Sequence, residues 1–576
     1  MKMILRYLRP MAGRMTGGLL IKLLGTFMDL AIPWILSYIL DSVVPTKSRP
    51  LIWSWGGLMV ICAILAMAGN VIANRFAAKV ARDATERIRH DTFVKISTLS
   101  ASQIDTLTIP SLISRLSSDS YNVHHMIGMM QRLGVRAPIL LIGGITITLT
   151  MDRVLTLILL FILPLLGVVV WIVSSRGIPL YTKVQEAQDI LVRKVQEFMG
   201  GVRVIKALSK TDYERSRYDE INREVVNRDF KAGVVMSITN SVMNLFLNCG
   251  LAAVILVGAY RVNAGVTQPG TLIAFLTYFT IILNAMMGIT RLFTNLSRGM
   301  ASANRIDEVL SLGPKLTIGE KNYKETDAHV SFENVSFSYN GISDDVSDIS
   351  FELKAGETLG IIGPTGSGKT TVINLLMRFY DPGSGVIRID GDDIRSLDSG
   401  ELHGRFGVVF QNDFLFEDTI RTNIDFGRNR SDEDIRLAAE TAQAAEFIEE
   451  YPDGYEHPLT VKGSNLSGGQ KQRLLISRAL AGKPDILILD DSSSALDYAT
   501  DAALRRAIHE HYGGTTSIII AQRVSSIMNA DLILVLDGGR IIGKGTHEEL
   551  MQSCQDYIDI ANTQMEAQAL GAEAKA

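Results

Sequence analysis

Two regimes of hydrophobic patterning divide the chain near residue 305. Before it, apolar residues come in runs of about 18 or more, close to the ~20 that a helix needs to cross a bilayer core. Six such stretches stand at roughly 16–40, 53–75, 133–150, 154–174, 240–262 and 271–291. The third is short, and its helix is expected to begin near Tyr121, with His124, His125, Arg132 and Arg136 on its more polar end. Beyond residue 305 short apolar runs alternate with polar ones, as in an α/β protein. Asn304–Leu312 reads as the end of the last long helix. Gly313–Asp327, polar and carrying Pro314 and Gly319, reads as a linker. The expected organisation is a membrane domain over 1–312, a linker over 313–327, and an α/β domain over 328–576 with a short C-terminal tail.

The segments between the spans are of two kinds. Asp41–Pro50, Met151–Arg153 and Arg261–Gly270 are short; residues 76–120 and 175–238 are long, charged and of helical periodicity. Bare loops of that length are unusual, so the spanning helices are expected to continue far outside the bilayer. The long segments and both termini carry the Lys and Arg, which places them in the cytoplasm of a multi-pass plasma-membrane protein. Met1 to Met15 carries Lys2, Arg6, Arg9 and Arg14 and is too interrupted for a signal peptide. The overall charge of −4 argues against a nucleic-acid partner. Cys62, Cys249 and Cys554 lie far apart, in no metal or disulfide spacing, and read as packing residues.

Polar residues inside spans are costly unless they face a bundle interior or a watery cavity. Lys22 and Asp29 are seven apart and share a helix face; Asn70, Asn244, Asn248, Asn284 and Arg291 occupy other spans. Asp29 is expected either to line a cavity that favours cationic compounds or to pair with Lys22 or another buried group. Methionines such as Met28, Met67, Met126, Met129, Met130, Met243, Met286 and Met287 suit bundle packing and also promiscuous apolar contacts.

The α/β half opens with strands at His329–Phe332 and Val335–Tyr339, followed by an apolar strand at Thr358–Ile362. Next comes Gly363-Pro364-Thr365-Gly366-Ser367-Gly368-Lys369-Thr370, a complete G-x-x-x-x-G-K-[ST] phosphate loop, and a helix over Lys369–Phe379. Such a loop cradles phosphates with backbone N–H groups, reaches the β- and γ-phosphates with its lysine, and offers a hydroxyl to Mg²⁺. Ile486–Leu489 then forms an apolar strand ending in Asp490, a carboxylate placed to hold Mg²⁺.

With Leu466-Ser467-Gly468-Gly469-Gln470 in addition, the chain resembles the ATP-binding cassette (ABC) transporters, specifically exporter half-transporters with six spans fused to one cassette. The resemblance implies a membrane α-helical domain plus an α/β P-loop ATPase that uses ATP and Mg²⁺. It implies adenine stacking by Tyr339 and phosphate binding by Gly363, Thr365, Gly366, Ser367, Gly368, Lys369, Thr370 and Thr371. Gln411 is the Q-loop residue, Ser494–Asp497 the D-loop, and Thr370, Gln411 and Asp490 the metal-facing set. Ser467, Gly468, Gly469 and Gln470 form the signature, which in this family meets the γ-phosphate held by a partner's phosphate loop. Ser100–Pro110 and Val204–Tyr213 match the coupling helices that dock on cassettes, the second on the partner's.

Three positions depart from the family. Asp491 stands where a catalytic Glu is expected, Gln522 where a switch His is expected, and Thr460-Val461-Lys462-Gly463 replaces Gly-Glu-Arg-Gly. Asp491 is one methylene short for a general base, and Gln522 cannot become cationic. What this chain applies to its own ATP is altered, while the signature it lends is intact. The pattern resembles the degenerate-site subunit of a heterodimeric bacterial multidrug exporter, partnered by a second half-transporter carrying the Glu and the His. The expected substrate is a small amphipathic or hydrophobic compound, drug- or lipid-like. The alternatives are a peptide or bacteriocin exporter subunit and a non-transporting ATP-binding regulatory membrane protein. An importer is disfavoured, because importer spans and cassettes usually occupy separate chains.

Overall fold

The computed structural model describes residues 2–492 and 495–573. It divides into two compact units, Met1–Thr98 with Thr108–Leu312, and Leu99–Leu107 with Gly313–Ala576.

The first unit is helical. Its long helices are Ala12–Tyr38, Arg49–Ser97, Ser120–Met151, Arg153–Ala207, Thr211–Asn263 and Pro269–Ser311. The charged segments after the second and fourth spans thus continue the spanning helices, keeping their backbone hydrogen bonds internal. Among the described residues five helical segments are long and apolar enough to cross a membrane; in Arg153–Ala207 the described apolar stretch is Arg153–Val169, shorter than that. A core of Leu30, Leu155, Leu159, Phe275, Tyr278, Phe279 and Ile282 is fully buried, while Trp53, Phe161 and Leu256 are exposed, as a bilayer solvent permits.

Two carboxylates organise the short connections. Asp152 caps Arg153–Ala207 by accepting from Val154 N at 2.9 Å and Leu155 N at 3.2 Å, and its other oxygen takes Arg261 Nε at 2.9 Å. Asp41 accepts from Gly270 N at 2.6 Å and Thr271 Oγ1 at 2.8 Å, tying the first connection to the start of the last helix. Cys62 is buried but Cys249 is exposed, so the expectation that all three cysteines are packed fails at Cys249. The side chain of Met243 lies outside the described residues.

The second unit holds two sheets. Strands β1 (Val330–Phe337), β2 (Val346–Leu353), β3 (Thr358–Ile362), β4 (Ser384–Ile389), β5 (Asp392–Asp393), β6 (Phe406–Val409), β7 (Ile486–Asp490), β8 (Thr516–Ile520), β9 (Leu532–Asp537) and β10 (Arg540–Gly545) appear in chain order. One sheet runs β2-β1-β4-β5; the other runs β10-β9-β3-β8-β7-β6. The second is parallel from β9 to β6, and its strands are near-continuous apolar runs, as befits a sheet covered on both faces. One core joins the two sheets, with Phe332 stacked on Phe351 at 4.6 Å; a second core lies under Ile420–Ala481. The segment after Gly313 is bound to this unit, with Gly319 N on Arg395 O at 2.7 Å and Arg378 Nη2 on Thr317 O at 2.7 Å. The short helix Ala101–Leu107 belongs to it too, through Gln103 Nε2 on Gly313 O at 2.9 Å and Tyr380 Oη on Asp105 Oδ2 at 2.5 Å.

Two expectations are corrected. The helix after the phosphate loop ends at Leu376 rather than Phe379, because Arg378 turns to φ 52°. The two strands expected at His329–Phe332 and Val335–Tyr339 are one, β1, bulged between Phe332 and Val335. Asn334, at φ 49°, occupies the bulge, and polar Glu333 and Asn334 broke the alternation that sequence patterning follows. On the facing strand Gly385 has φ 82°, and a Cβ there would lie 2.4 Å from Asn334 O. Gly385→Ala is therefore expected to destabilise this unit by about 1–3 kcal/mol. Gly404→Ala, where a Cβ meets nothing within 4 Å, should be close to neutral; thermal melting of the two variants checks this.

Candidate nucleotide site

The site grows from the carboxyl ends of three adjacent parallel strands. β3 runs into the phosphate loop, β7 ends in Asp490, and β8 leads to Gln522. In open α/β sheets ligands bind at these ends. Gly363 permits the first turn: at φ 155° a Cβ would stand 2.0 Å from Leu536 O. Gly366 and Gly368 also have positive φ, and the helix Lys369–Leu376 follows at once. Lys369 Nζ folds back over the loop, donating to Gly363 O at 2.9 Å and Pro364 O at 2.7 Å. Burial lowers the pKa of its ammonium, partly countered by the charges of Asp490 and Asp491.

A cavity of about 270 Å³ collects Thr365, Gly366, Gly368, Lys369, Thr370 and Thr371 with Gln411, Asp490, Asp491 and Gln522. Ser367 is buried beneath it, 3.4 Å from Lys369 Nζ. Thr370 Oγ1 donates to Asp490 Oδ2 at 3.4 Å. A hydroxyl and a carboxylate side by side are hard oxygen donors, the set that Mg²⁺ takes from a protein when phosphates and water supply the rest. Burial raises the Asp490 pKa, with repulsion from Asp491 second. A larger cavity of about 590 Å³ along the helix Tyr498–His511 contains none of the expected site residues.

Tyr339, 46% exposed, stands beside the cavity, its hydroxyl 3.5 Å from Thr371 Oγ1. Its ring meets the edges of Phe337 at 4.9 Å and Tyr380 at 5.0 Å, and its hydroxyl accepts from Asn374 Nδ2 at 3.1 Å. Asp345 fixes its backbone N–H at 2.8 Å.

The departures sit together. Asp491 has φ 50°, and Gln522 Nε2 donates to its Oδ2 at 3.0 Å. Burial raises the Asp491 pKa, against the Gln411 amide and the charges of Arg523 and Lys369. The amide at the switch position is thus engaged with the carboxylate at the base position. Gln522 is in turn held by a residue that sequence reasoning missed. Gln564, in the C-terminal helix Gln555–Glu573, donates to Gln522 O at 2.7 Å and accepts from Val524 N at 2.8 Å. No motif or periodicity marks it; only the docking of that helix brings it there.

The signature residues stand elsewhere. Ser467 caps the helix Gly468–Ala481 in a reciprocal box with Gln470: Ser467 N donates to Gln470 Oε1 at 2.9 Å and Gln470 N to Ser467 Oγ at 3.3 Å. Gly469 approaches the backbone of Ala495, whose N–H meets Gln472 Oε1 at 3.1 Å. Asp497 caps Tyr498–His511, its carboxyl held below the usual range by the Thr500 N–H and hydroxyl. Ser494, read as the first D-loop residue, lies outside the described residues. Before the signature, Lys462 turns to φ 61° and Thr460 bonds to Asn465 and Ser464. None of Ser467 to Gln470 lines the Lys369 cavity.

This geometry defines a P-loop nucleotide-binding domain that follows a helical membrane domain. The chain matches the family "ABC transporter transmembrane region" over residues 15–286 and "ABC transporter" over 346–494. It is 34% identical over 571 residues to the ABC transporter ATP-binding protein YfiB of Bacillus subtilis (strain 168), covering 98% of each. It is 31% identical over 575 residues to the putative ABC transporter ATP-binding protein exp8 of Streptococcus pneumoniae, covering 99% of this chain and 98% of exp8. Among solved structures, a bacterial Atm1-family ABC exporter with ATP bound superposes with a TM-score of 0.82 at 25% identity, over 97% of this chain and 98% of that one. The chain belongs to the ABC transporters. It is a multi-pass membrane protein with the half-transporter architecture of an exporter subunit, and its cassette is an ATPase domain.

Gln564→Leu keeps the bulk but leaves the buried Val524 N–H without its acceptor, a loss of about 1–3 kcal/mol. Hydrogen exchange at Val524 should accelerate while the amides of β8 keep their protection.

Proposed function

We propose that this chain is one half of a heterodimeric exporter that moves amphipathic or hydrophobic compounds out of the cytoplasm, and that its own ATP site is the weaker of two. One observation carries the reading: the shortened carboxylate of Asp491 is bonded to the Gln522 amide at 3.0 Å, while the signature cap at Ser467 and Gln470 is complete.

In this reading Tyr339 stacks on adenine and the backbone from Gly363 to Thr371 binds the phosphates. Lys369 leaves its own loop carbonyls for the β- and γ-phosphates. Thr370, Asp490 and Gln411 would hold Mg²⁺, which would neutralise phosphate charge. Asp491 must orient a water from about an ångström too far back, and displacement on that scale costs ~10²-fold. Its link to Gln522 keeps it there and occupies the amide that would otherwise face the γ-phosphate. Ser467, Gly468 and Gly469, at a helix N-terminus, close on the partner's nucleotide. Asp497 steadies the approach to that interface. The segments Ser100–Pro110 and Val204–Tyr213 pass closure to the spans. The first contains the helix Ala101–Leu107; the second, expected as a helix of its own, is instead the end of Arg153–Ala207, a turn at Leu208–Lys210 and the start of Thr211–Asn263.

The chain alone is expected to hydrolyse ATP feebly, and its complex with a half-transporter carrying Glu and His to turn over readily. Ser467→Ala in this chain should damage the complex more than Asp491→Asn. Asp491→Glu with Gln522→His should raise turnover at this site by about 10²-fold. Robust hydrolysis by a verified homodimer, or equal losses from Ser467→Ala and Asp491→Asn, rejects the division of labour.

A further inference from the structure

The spans contain a cationic cluster with too little negative charge to balance it. Helices Ala12–Tyr38 and Arg49–Ser97 cross closely at Gly25 and Gly69, where a Cβ on Gly69 would lie 3.2 Å from Gly25 Cα. One turn to either side of Gly25 stand Lys22 and Asp29. Lys22 Nζ donates to Asn74 Oδ1 at 3.1 Å. Asp29 Oδ2 accepts from Asn70 Nδ2 at 3.2 Å and from Arg136 Nη2 at 3.1 Å, the arginine coming from the helix Ser120–Met151. Of the groups with which Asp29 was expected to pair if it did not line a cavity, Lys22 or another, the carboxylate meets Arg136. Arg132, one turn before Arg136, gives its Nε to the carbonyl of Gly128.

Three cations thus stand against one carboxylate. Arg136, Asp29 and Arg132 are all close enough to act on the Lys22 charge. Lys22 is only 3% exposed, and its one hydrogen-bond acceptor among the described residues is a neutral amide. Arg136 Nε and Asn70 Oδ1 are buried without partners. A cation within a span is costly, and it persists where a counter-charge or water meets it. Arg132 is exposed and the Arg136 side chain 41% exposed, so two guanidiniums form the accessible face, with the Lys22 ammonium fixed behind.

We propose that this face binds the anionic headgroup, carboxylate or phosphate, of an amphipathic substrate. The inference rests on the exporter reading above and narrows it to acidic amphiphiles. Planar guanidiniums take such oxyanions in paired hydrogen bonds, and Lys22 adds long-range attraction in a low-dielectric setting. Asp29 is then a positioning residue: it orients Arg136 rather than attracting a cation.

The test compares three dyes with one apolar body, ending in a carboxylate, a neutral amide or a trimethylammonium group, for ATP-driven uptake into inside-out vesicles bearing the full-length assembly. The carboxylate dye is expected to half-saturate at about tenfold lower concentration than the other two, the worth of one modest charge contact. Lys22→Gln with Arg132→Gln should abolish that preference, and Lys22→Arg should retain it; a melting measurement on each confirms folding. Equal handling of the three dyes, or preference for the cation, overturns the inference while leaving the exporter reading in place. If no dye of any charge moves, the exporter reading falls and this inference with it. Vesicles of phosphatidylcholine alone and with phosphatidylglycerol separate the two sources of an anionic headgroup. Stabilisation of the wild type but not the double variant by phosphatidylglycerol, with charge-blind uptake, assigns the face to a lipid and overturns the substrate.

Discussion

The cassette depends on the parallel registration of β3, β8 and β7. Leu359 pairs with Ile518, and Asp490 with Ile520, so the three strands end at one level. The phosphate loop, Asp490 and the segment leading to Gln522 leave the sheet at that level. The strands are apolar almost throughout, and the first polar side chains appear where apolar cover stops. Burial of Asp490 beside Asp491 raises both carboxyls, a cost that Lys369, Thr370 and the amides nearby offset. The same low-dielectric setting strengthens contacts to phosphate and cation.

In the membrane unit the governing constraint is that backbone polar groups must be satisfied without water, which only continuous helices achieve here. At the short connections Asp41 and Asp152 join one helix end to another through N–H, hydroxyl and guanidinium donors. Within the spans, the Lys22–Asp29–Arg136 group follows the same rule incompletely, which is what makes it chemically eventful.

The contact at the mouth of the phosphate cavity follows from two side chains present together. A Glu at 491 would reach further, and a His at 522 would have another hydrogen-bonding pattern; the present pair bonds to itself. Gln564 locks the backbone on the far side of that pair, so the C-terminal helix is part of the site although it holds no motif.

Much was legible in the sequence because it is local. Apolar run length marks spanning helices, and the phosphate loop, the strand ending in Asp490 and the cap at Ser467 each lie within about a dozen consecutive residues. Length alone did not reveal the bulge in β1, since Glu333 and Asn334 break the alternation while the strand continues past them. Partners distant in sequence were decided by tertiary structure. Asp29 chose Arg136 over Lys22, Gln522 chose Asp491, and Gln564 arrived from a helix forty residues on. A carboxylate seven residues from a lysine shares its helix face. Which cation it meets depends on how the crossing at Gly25 and Gly69 and the neighbouring helix Ser120–Met151 aim those side chains, and hydrophobic periodicity carries no record of that.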